Sequence, residues 1–108
     1  MAEWYGKLYV GEKLRRKEKK VRRLVDRGRF LPNVYLVTLS SNGQDQLDIL
    51  EASYLVQRGV AQRLPLIVGM AFDYPEAIHL VEEIAWEAYQ ATGDCNLRKF
   101  LCEMREKV

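Results

Sequence analysis

The residues that could carry out catalysis are few and widely spaced. The chain has one histidine, His79, and two cysteines, Cys95 and Cys102. Nucleophilic catalysis needs a serine or cysteine beside an activating base, and a structural zinc site needs four clustered ligands. His79 lies within a predicted helix, on the side that the apolar pattern leaves to solvent. The sequence therefore favours a protein with no catalytic residues, no metal and no cofactor.

A polar loop after a predicted strand is the best candidate for a small-ligand site. It consists of Ser40, Ser41, Asn42 and Gly43, followed by Gln44. Loops at the carboxyl ends of parallel strands commonly bind anions, but this loop lacks the motifs of phosphate-binding and dinucleotide-binding loops. Ordinary turn and cap chemistry explains the same residues. A small anion or nucleotide bound at residues 40–44 is the alternative interpretation.

Positive charge is concentrated near the N-terminus. Residues 1–29 carry 11 basic and 4 acidic residues, a net charge of +7, whereas residues 30–108 carry 6 and 11, a net charge of −5. The periodicity predicts one helix with basic side chains around most of its circumference. The members that we single out are Arg15, Arg16, Lys19, Lys20, Arg22 and Arg23.

Three interpretations fit this basic helix. A solvated outer face needs no ligand, whereas an acidic protein partner, including the acidic part of another copy, would be attracted to it. Nucleic acid would release counterions on binding the Lys and Arg side chains. The run contains no base-reading motif and no interleaved aromatic residues. Nucleic-acid binding through residues 13–29 would therefore be weakly sequence-selective and strongly weakened by salt.

Two apolar runs predict the buried strands that position these residues. Residues 34–39 and 66–72 show no polar alternation, which is typical of strands covered on both faces. The segment between them, about two dozen residues with a helical pattern, has the length of a right-handed βαβ crossover. We therefore expect the two strands to be parallel. Residues 7–10 predict a short first strand.

Helices are predicted at residues 11–27, 45–58, 73–92 and 95–107. The helix at 73–92 has the clearest boundaries, because Asp73 and Glu76 have the spacing of a capping box and Gly93 follows its last residue. The helix at 11–27 stops before Gly28. In the last helix, an apolar stripe begins at Leu97 and repeats at helical spacing.

The helix predicted at 45–58 has apolar residues on two opposite sides. Ile49 and Val56 lie on one side, and Leu50 lies on the other. Such a helix is normally buried on more than one side, either by other helices of the same chain or by a second copy. Trp86 is predicted to point away from the core, and tryptophan is common at interfaces. Ile49, Val56 and Trp86 are therefore candidate residues of a homodimer interface.

These patterns together predict one α/β domain spanning residues 1–108. Its length and its 48% content of hydrophobic residues allow one ordered core. The predicted fold is a small parallel sheet of two or three strands with a βαβ crossover and about four helices, in the order β-α-β-α-β-α-α. A basic strand and helix segment occupies residues 1–29, a βαβα core 33–93, and a C-terminal helix 95–107.

The sequence-based hypothesis for function is a non-catalytic, self-associating binding or accessory module inside the cell. The chain shows no export or membrane-spanning run, and its two cysteines suggest a reducing compartment, so we expect a cytoplasmic location and no membrane partner. Nucleic-acid binding by residues 13–29 and small-ligand binding by residues 40–44 are the alternatives.

Overall fold

Four strands form one mixed sheet. The structure, a computed structural model, describes residues 3–27, 33–40, 47–51, 65–93, 96–97 and 99–101. The strands are β1 (Trp4–Val10), β2 (Tyr35–Leu39), β3 (Leu47–Glu51) and β4 (Ile67–Ala71). Their order across the sheet is β1-β4-β2-β3. β1 is parallel to β4, whereas β2 is antiparallel to both of its neighbours, β4 and β3.

Two main helices accompany the sheet. A 3-10 helix (Glu12–Lys17) leads into α1 (Glu18–Asp26), and together they occupy the range of the first predicted helix. The second helix, α2 (Tyr74–Thr92), follows β4. Residues 97 and 99–101 are helical as well, within the predicted C-terminal helix.

The predicted parallel sheet and βαβ crossover are wrong. The two buried strands exist as β2 and β4, but they are antiparallel neighbours, with Tyr35 opposite Ala71. The predicted helix 45–58 is replaced at Leu47–Glu51 by β3, which pairs with β2 so that Leu39 lies opposite Leu47. A short apolar segment fits a strand or a buried helix equally well, and here pairing with β2 decides the outcome. Residues 52–58 lie outside the described residues.

The local signals predicted for α2 are confirmed. The Asp73 carboxylate accepts a hydrogen bond from the backbone N–H of Glu76 at 2.9 Å, and the Glu76 carboxylate accepts one from the N–H of Phe72 at 2.8 Å. At the other end, Gly93 adopts a φ of 80°, and its N–H bonds to the carbonyl of Tyr89. Glycine reaches this left-handed conformation without steric strain.

Both faces of the sheet are covered by apolar side chains. Adjacent residues of a strand point to opposite faces, and Leu36 and Val37 of β2 accordingly belong to two different clusters. On one face, α2 and the C-terminal helical residues contribute Ala77, Leu80, Ile84, Ala88, Leu97, Phe100 and Leu101. On the other face, the 12–27 segment contributes Leu14, Val21, Leu24 and Val25. The sheet therefore separates two helical layers.

Within the described part of the chain, we find no helix with the length and apolar character needed to cross a membrane.

Candidate functional site

The segment at residues 12–27 is held on the sheet by its apolar side. Leu14, Val21 and Val25 are buried, and they pack in the same cluster as Ile67 and Met70 of β4. These three positions recur at a spacing that places them on one side of a helix. The remaining side chains of the segment are directed to its flanks and to its outer side.

The outer side of this segment is positively charged. We call its exposed Lys and Arg side chains the basic face: Arg15, Arg16, Lys17, Lys19, Lys20, Arg23 and Arg27. Among the residues that the structure describes, no acidic side chain forms an ion pair with any of the seven. The basic face includes five of the six basic residues singled out in the sequence. Charges of one sign on one surface attract a polyanion.

The sixth predicted residue, Arg22, has a different environment. Its guanidinium carbon lies 5.1 Å from the centre of the Trp4 ring, and its Nη1 lies 3.4 Å from a carboxylate oxygen of Glu18. The indole N–H of Trp4 donates to the Asp26 carboxylate at 3.0 Å. We call these two side chains, held by Glu18 and Asp26, the Trp4–Arg22 stack. Sequence reasoning missed it because Trp4 comes from β1 and local spacing carries no signal for such a contact.

A second group of contacts ties the start of the basic segment to α2. We call Gly11, Lys13, Asp73 and Glu76 the latch. The N–H of Gly11 donates to the Met70 carbonyl at 2.8 Å, and a Cβ at Gly11 would collide with the Glu76 carboxylate. The Lys13 ammonium lies 3.3 Å from a carboxylate oxygen of Asp73. The backbone N–H of Glu76 holds the pKa of Asp73 below its usual value, and Lys13 adds to this effect.

The latch borders an open cleft of about 400 Å³. Its lining includes cationic Arg15, the carboxylates of Glu76 and Glu83, and His79. His79 is exposed, as predicted from its position in the helix. In the portion of the chain with described coordinates, no three His, Cys, Asp or Glu side chains converge as metal ligands would. This mixture of charges favours neither an anion nor a cation, so the cleft carries no specific chemical signal.

The outer side of α2 has the opposite charge from the basic face. Glu82, Glu83 and Glu87 are exposed there. Trp86, 63% exposed, stacks against Tyr89 with ring centres 6.5 Å apart. The two helical layers of the molecule therefore differ in charge, and the unequal distribution seen in the sequence becomes a difference between two surfaces.

Tyr9, a residue of β1, lies beside this acidic side of α2. Burial raises the pKa of Tyr9 above its usual range, and the nearby Glu87 carboxylate adds to the rise. The hydroxyl keeps its proton at neutral pH, as an ordinary tyrosine does, and it forms a hydrogen bond with the Glu87 side chain. Its ring stacks on that of Tyr5, with centres 6.3 Å apart.

The predicted loop site is not brought to the carboxyl end of β4. β2 is antiparallel to β4, so Ser40, which follows β2, lies at the end of the sheet opposite to Asp73. Ser40 is only 2% exposed. Residues Ser41, Asn42, Gly43 and Gln44 lie outside the described residues, and ligand binding by this loop stays a prediction.

The predicted dimer residues are not brought together on one helix. Ile49 is half-buried on β3 and Trp86 is exposed on α2, while Val56 lies outside the described residues. The helix that was expected to present Ile49 and Val56 together is a strand at Ile49. Of the two described members, Ile49 and Trp86, Trp86 has the exposed position that the prediction requires.

No protein-family model, no curated protein and no solved structure matches this chain.

Proposed function

We propose that this protein is a non-catalytic binding module that holds nucleic acid through the phosphate backbone. The observation that carries the proposal is the basic face: seven exposed Lys and Arg side chains that no described acidic side chain pairs with. Each phosphate that such a side chain neutralises releases condensed counterions, which favours binding.

The layered fold supports this assignment because it holds the basic side chains at a fixed position, on the outer side of one helical layer. Leu14, Val21 and Val25 anchor the segment on the sheet, so the basic face is presented on a defined surface. The acidic side of α2 lies on the other helical layer and would repel a polyanion. Contacts to phosphates position a protein without reading sequence, so we expect weak sequence selectivity.

A titration of fluorescently labelled DNA and RNA at low and moderate salt tests the proposal. The test variant is Lys19→Gln/Arg23→Gln, which removes two charges from the basic face. The matched control is Lys7→Gln/Lys99→Gln, which removes two exposed charges elsewhere. The slope of log K against log salt should fall by about 1 for each lost phosphate contact in the test variant and stay unchanged in the control.

Two outcomes would contradict nucleic-acid binding by the basic face. One is the lack of any binding at low salt by the unmodified protein. The other is an equal loss of affinity in the two double variants, because only net charge, and not its location, would then matter.

Self-association is the second candidate function. It is favoured by the exposed Trp86 and Tyr89 pair and by the opposite charges of the two helical layers, which would attract one copy to another. Light scattering should then report about twice the chain mass, since dimers are the commonest homo-oligomers. Trp86→Glu should return the protein to one chain mass. A monomer at high concentration would end this proposal.

A further inference from the structure

We propose that the Trp4–Arg22 stack is a binding site for one unpaired base, so that single-stranded nucleic acid is the preferred ligand of the basic face. This inference rests on the proposed function and names its ligand class. It uses the one basic residue of α1 that has an aromatic ring beneath it in the described structure.

Arg22 and Trp4 together form a cationic and aromatic surface. The guanidinium of Arg22 lies over the indole of Trp4, with 5.1 Å from its carbon to the ring centre. Glu18 accepts from Arg22, and Asp26 accepts from the Trp4 indole N–H, so each side chain is held by a second contact. The Arg22 side chain is 40% exposed. Arginine planes and aromatic rings are the groups on which proteins stack unpaired bases.

The charges around Arg22 favour a neutral base at this position and the phosphates beside it. Glu18 and Asp26 flank Arg22, and their carboxylates disfavour a phosphate at this point. A nucleobase is neutral and meets no such repulsion. Lys19 and Arg23 belong to the adjacent basic face and can neutralise the phosphates on either side. The bases of a duplex are paired and stacked inside the helix, so only a single strand can place a base on Arg22.

The test compares a thymidine dodecamer with an abasic strand that has the same number of phosphates. The intact protein should bind the thymidine strand roughly 5-fold to 150-fold more tightly, which corresponds to one stacked base. Arg22→Lys keeps the charge but removes the plane, so this preference should disappear while affinity for the abasic strand is unchanged. The matched control, Arg16→Lys on the basic face, should keep the preference.

A fluorescence measurement keeps the test valid even where a substitution at Arg22 disturbs folding. Trp86→Phe leaves Trp4 as the single tryptophan of the chain. Its emission should change on addition of the thymidine strand and stay constant on addition of the abasic strand.

The outcomes separate this inference from the proposed function. Equal affinity of the intact protein for the two strands would refute base binding by the Trp4–Arg22 stack. It would not affect the proposal that the basic face binds phosphates. A preference for the thymidine strand that persists in Arg22→Lys would also refute base binding by this stack, because Arg22 would then contribute only its charge. Failure of both strands to bind at low salt would overturn the proposed function itself.

Discussion

The two helical layers reach their structure by different routes. α2 has a capping box at its start, a left-handed glycine after its end, and a broad apolar side that includes Ala77, Leu80 and Ile84. The other layer begins as a 3-10 helix, and Lys17 at the start of α1 makes no side-chain cap hydrogen bond. α2 is therefore specified mainly by local sequence, whereas α1 depends on packing against the sheet.

The difference shows that the α1 layer carries charge at the expense of stability. Like charges three or four residues apart in an α-helix, such as Lys19 and Arg23 or Lys20 and Arg23 of α1, each destabilise the helix by about 0.2–0.5 kcal/mol. A bound polyanion would remove that repulsion. Sequence features that lower local stability occur most often at functional sites. Here these features, the like-charge pairs, lie on the basic face, for which we propose ligand binding.

The largest expected effect comes from the core side of α2. Ile84 is fully buried, so Ile84→Ala should lower the free energy of unfolding by about 2–5 kcal/mol. Val21→Ala in the α1 layer removes fewer carbon atoms and should lower it by about 1–2 kcal/mol. Urea unfolding measures both. Exposed Glu83→Ala is the control, and an Ile84→Ala effect as small as that of the control would refute the packing of α2.

The next effect concerns the latch that joins the two layers. Gly11→Ala places a Cβ against the Glu76 carboxylate, which must then leave the N–H of Phe72. We expect a loss of about 1 kcal/mol in unfolding free energy. In a Glu76→Ala background the same change should have almost no effect, because the two residues act through one contact. If the losses of unfolding free energy from Gly11→Ala and Glu76→Ala add in the double variant, Gly11 does not act through Glu76.

A smaller effect of opposite sign is expected on the basic face. Lys19→Glu replaces the repulsion between Lys19 and Arg23 with an attraction between the new carboxylate and Arg23, and it adds negative charge to the first turn of α1, where such charge is favourable. Thermal unfolding at low salt should show a stabilisation of about 0.5–1 kcal/mol, reduced by high salt. Affinity for nucleic acid should fall in the same variant. If Lys19→Glu lowered the stability and left the affinity for nucleic acid unchanged, the proposed link between charge repulsion on the basic face and nucleic-acid binding would be refuted.

The smallest effect is a pH dependence from Asp73. Its pKa in the folded protein lies below its ordinary value of 3.8, so its carboxylate stabilises the fold above that value. This contribution is lost as pH falls through the lower, folded-state pKa. Thermal unfolding midpoints should therefore drop less steeply in acid for Asp73→Asn than for the intact protein. Parallel acid profiles would assign the acid sensitivity to other groups.

The sequence predicts those features whose cause is local. Asp73, Glu76 and Gly93 lie next to the ends of α2, so the boundaries of this helix can be derived from spacing alone. The two apolar runs likewise identify β2 and β4. Their relative direction differs from the prediction because a strand at Leu47–Glu51 runs back beside β2 and takes the place of the first part of the helix predicted at 45–58. The apolar positions of that short segment fit either structure.

The candidate site likewise has a part that the sequence predicts and a part that it does not. The basic face follows from helical periodicity, because its residues are neighbours along one segment. The Trp4–Arg22 stack joins a strand to a helix, and nothing in the spacing of either residue reveals the contact. The prediction of a ligand site at residues 40–44 relies on parallel strands, whereas β2 is antiparallel to β4, so Ser40 lies at the opposite end of the sheet from Asp73.

Amide and indole NMR shifts on addition of a short single strand show where nucleic acid binds. We expect shifts at Lys19, Lys20 and Arg23 and at the indole N–H of Trp4, with the indole N–H of Trp86 unchanged. Shifts confined to Trp86 and the acidic side of α2, or an unchanged spectrum at low salt, would contradict binding by the basic face.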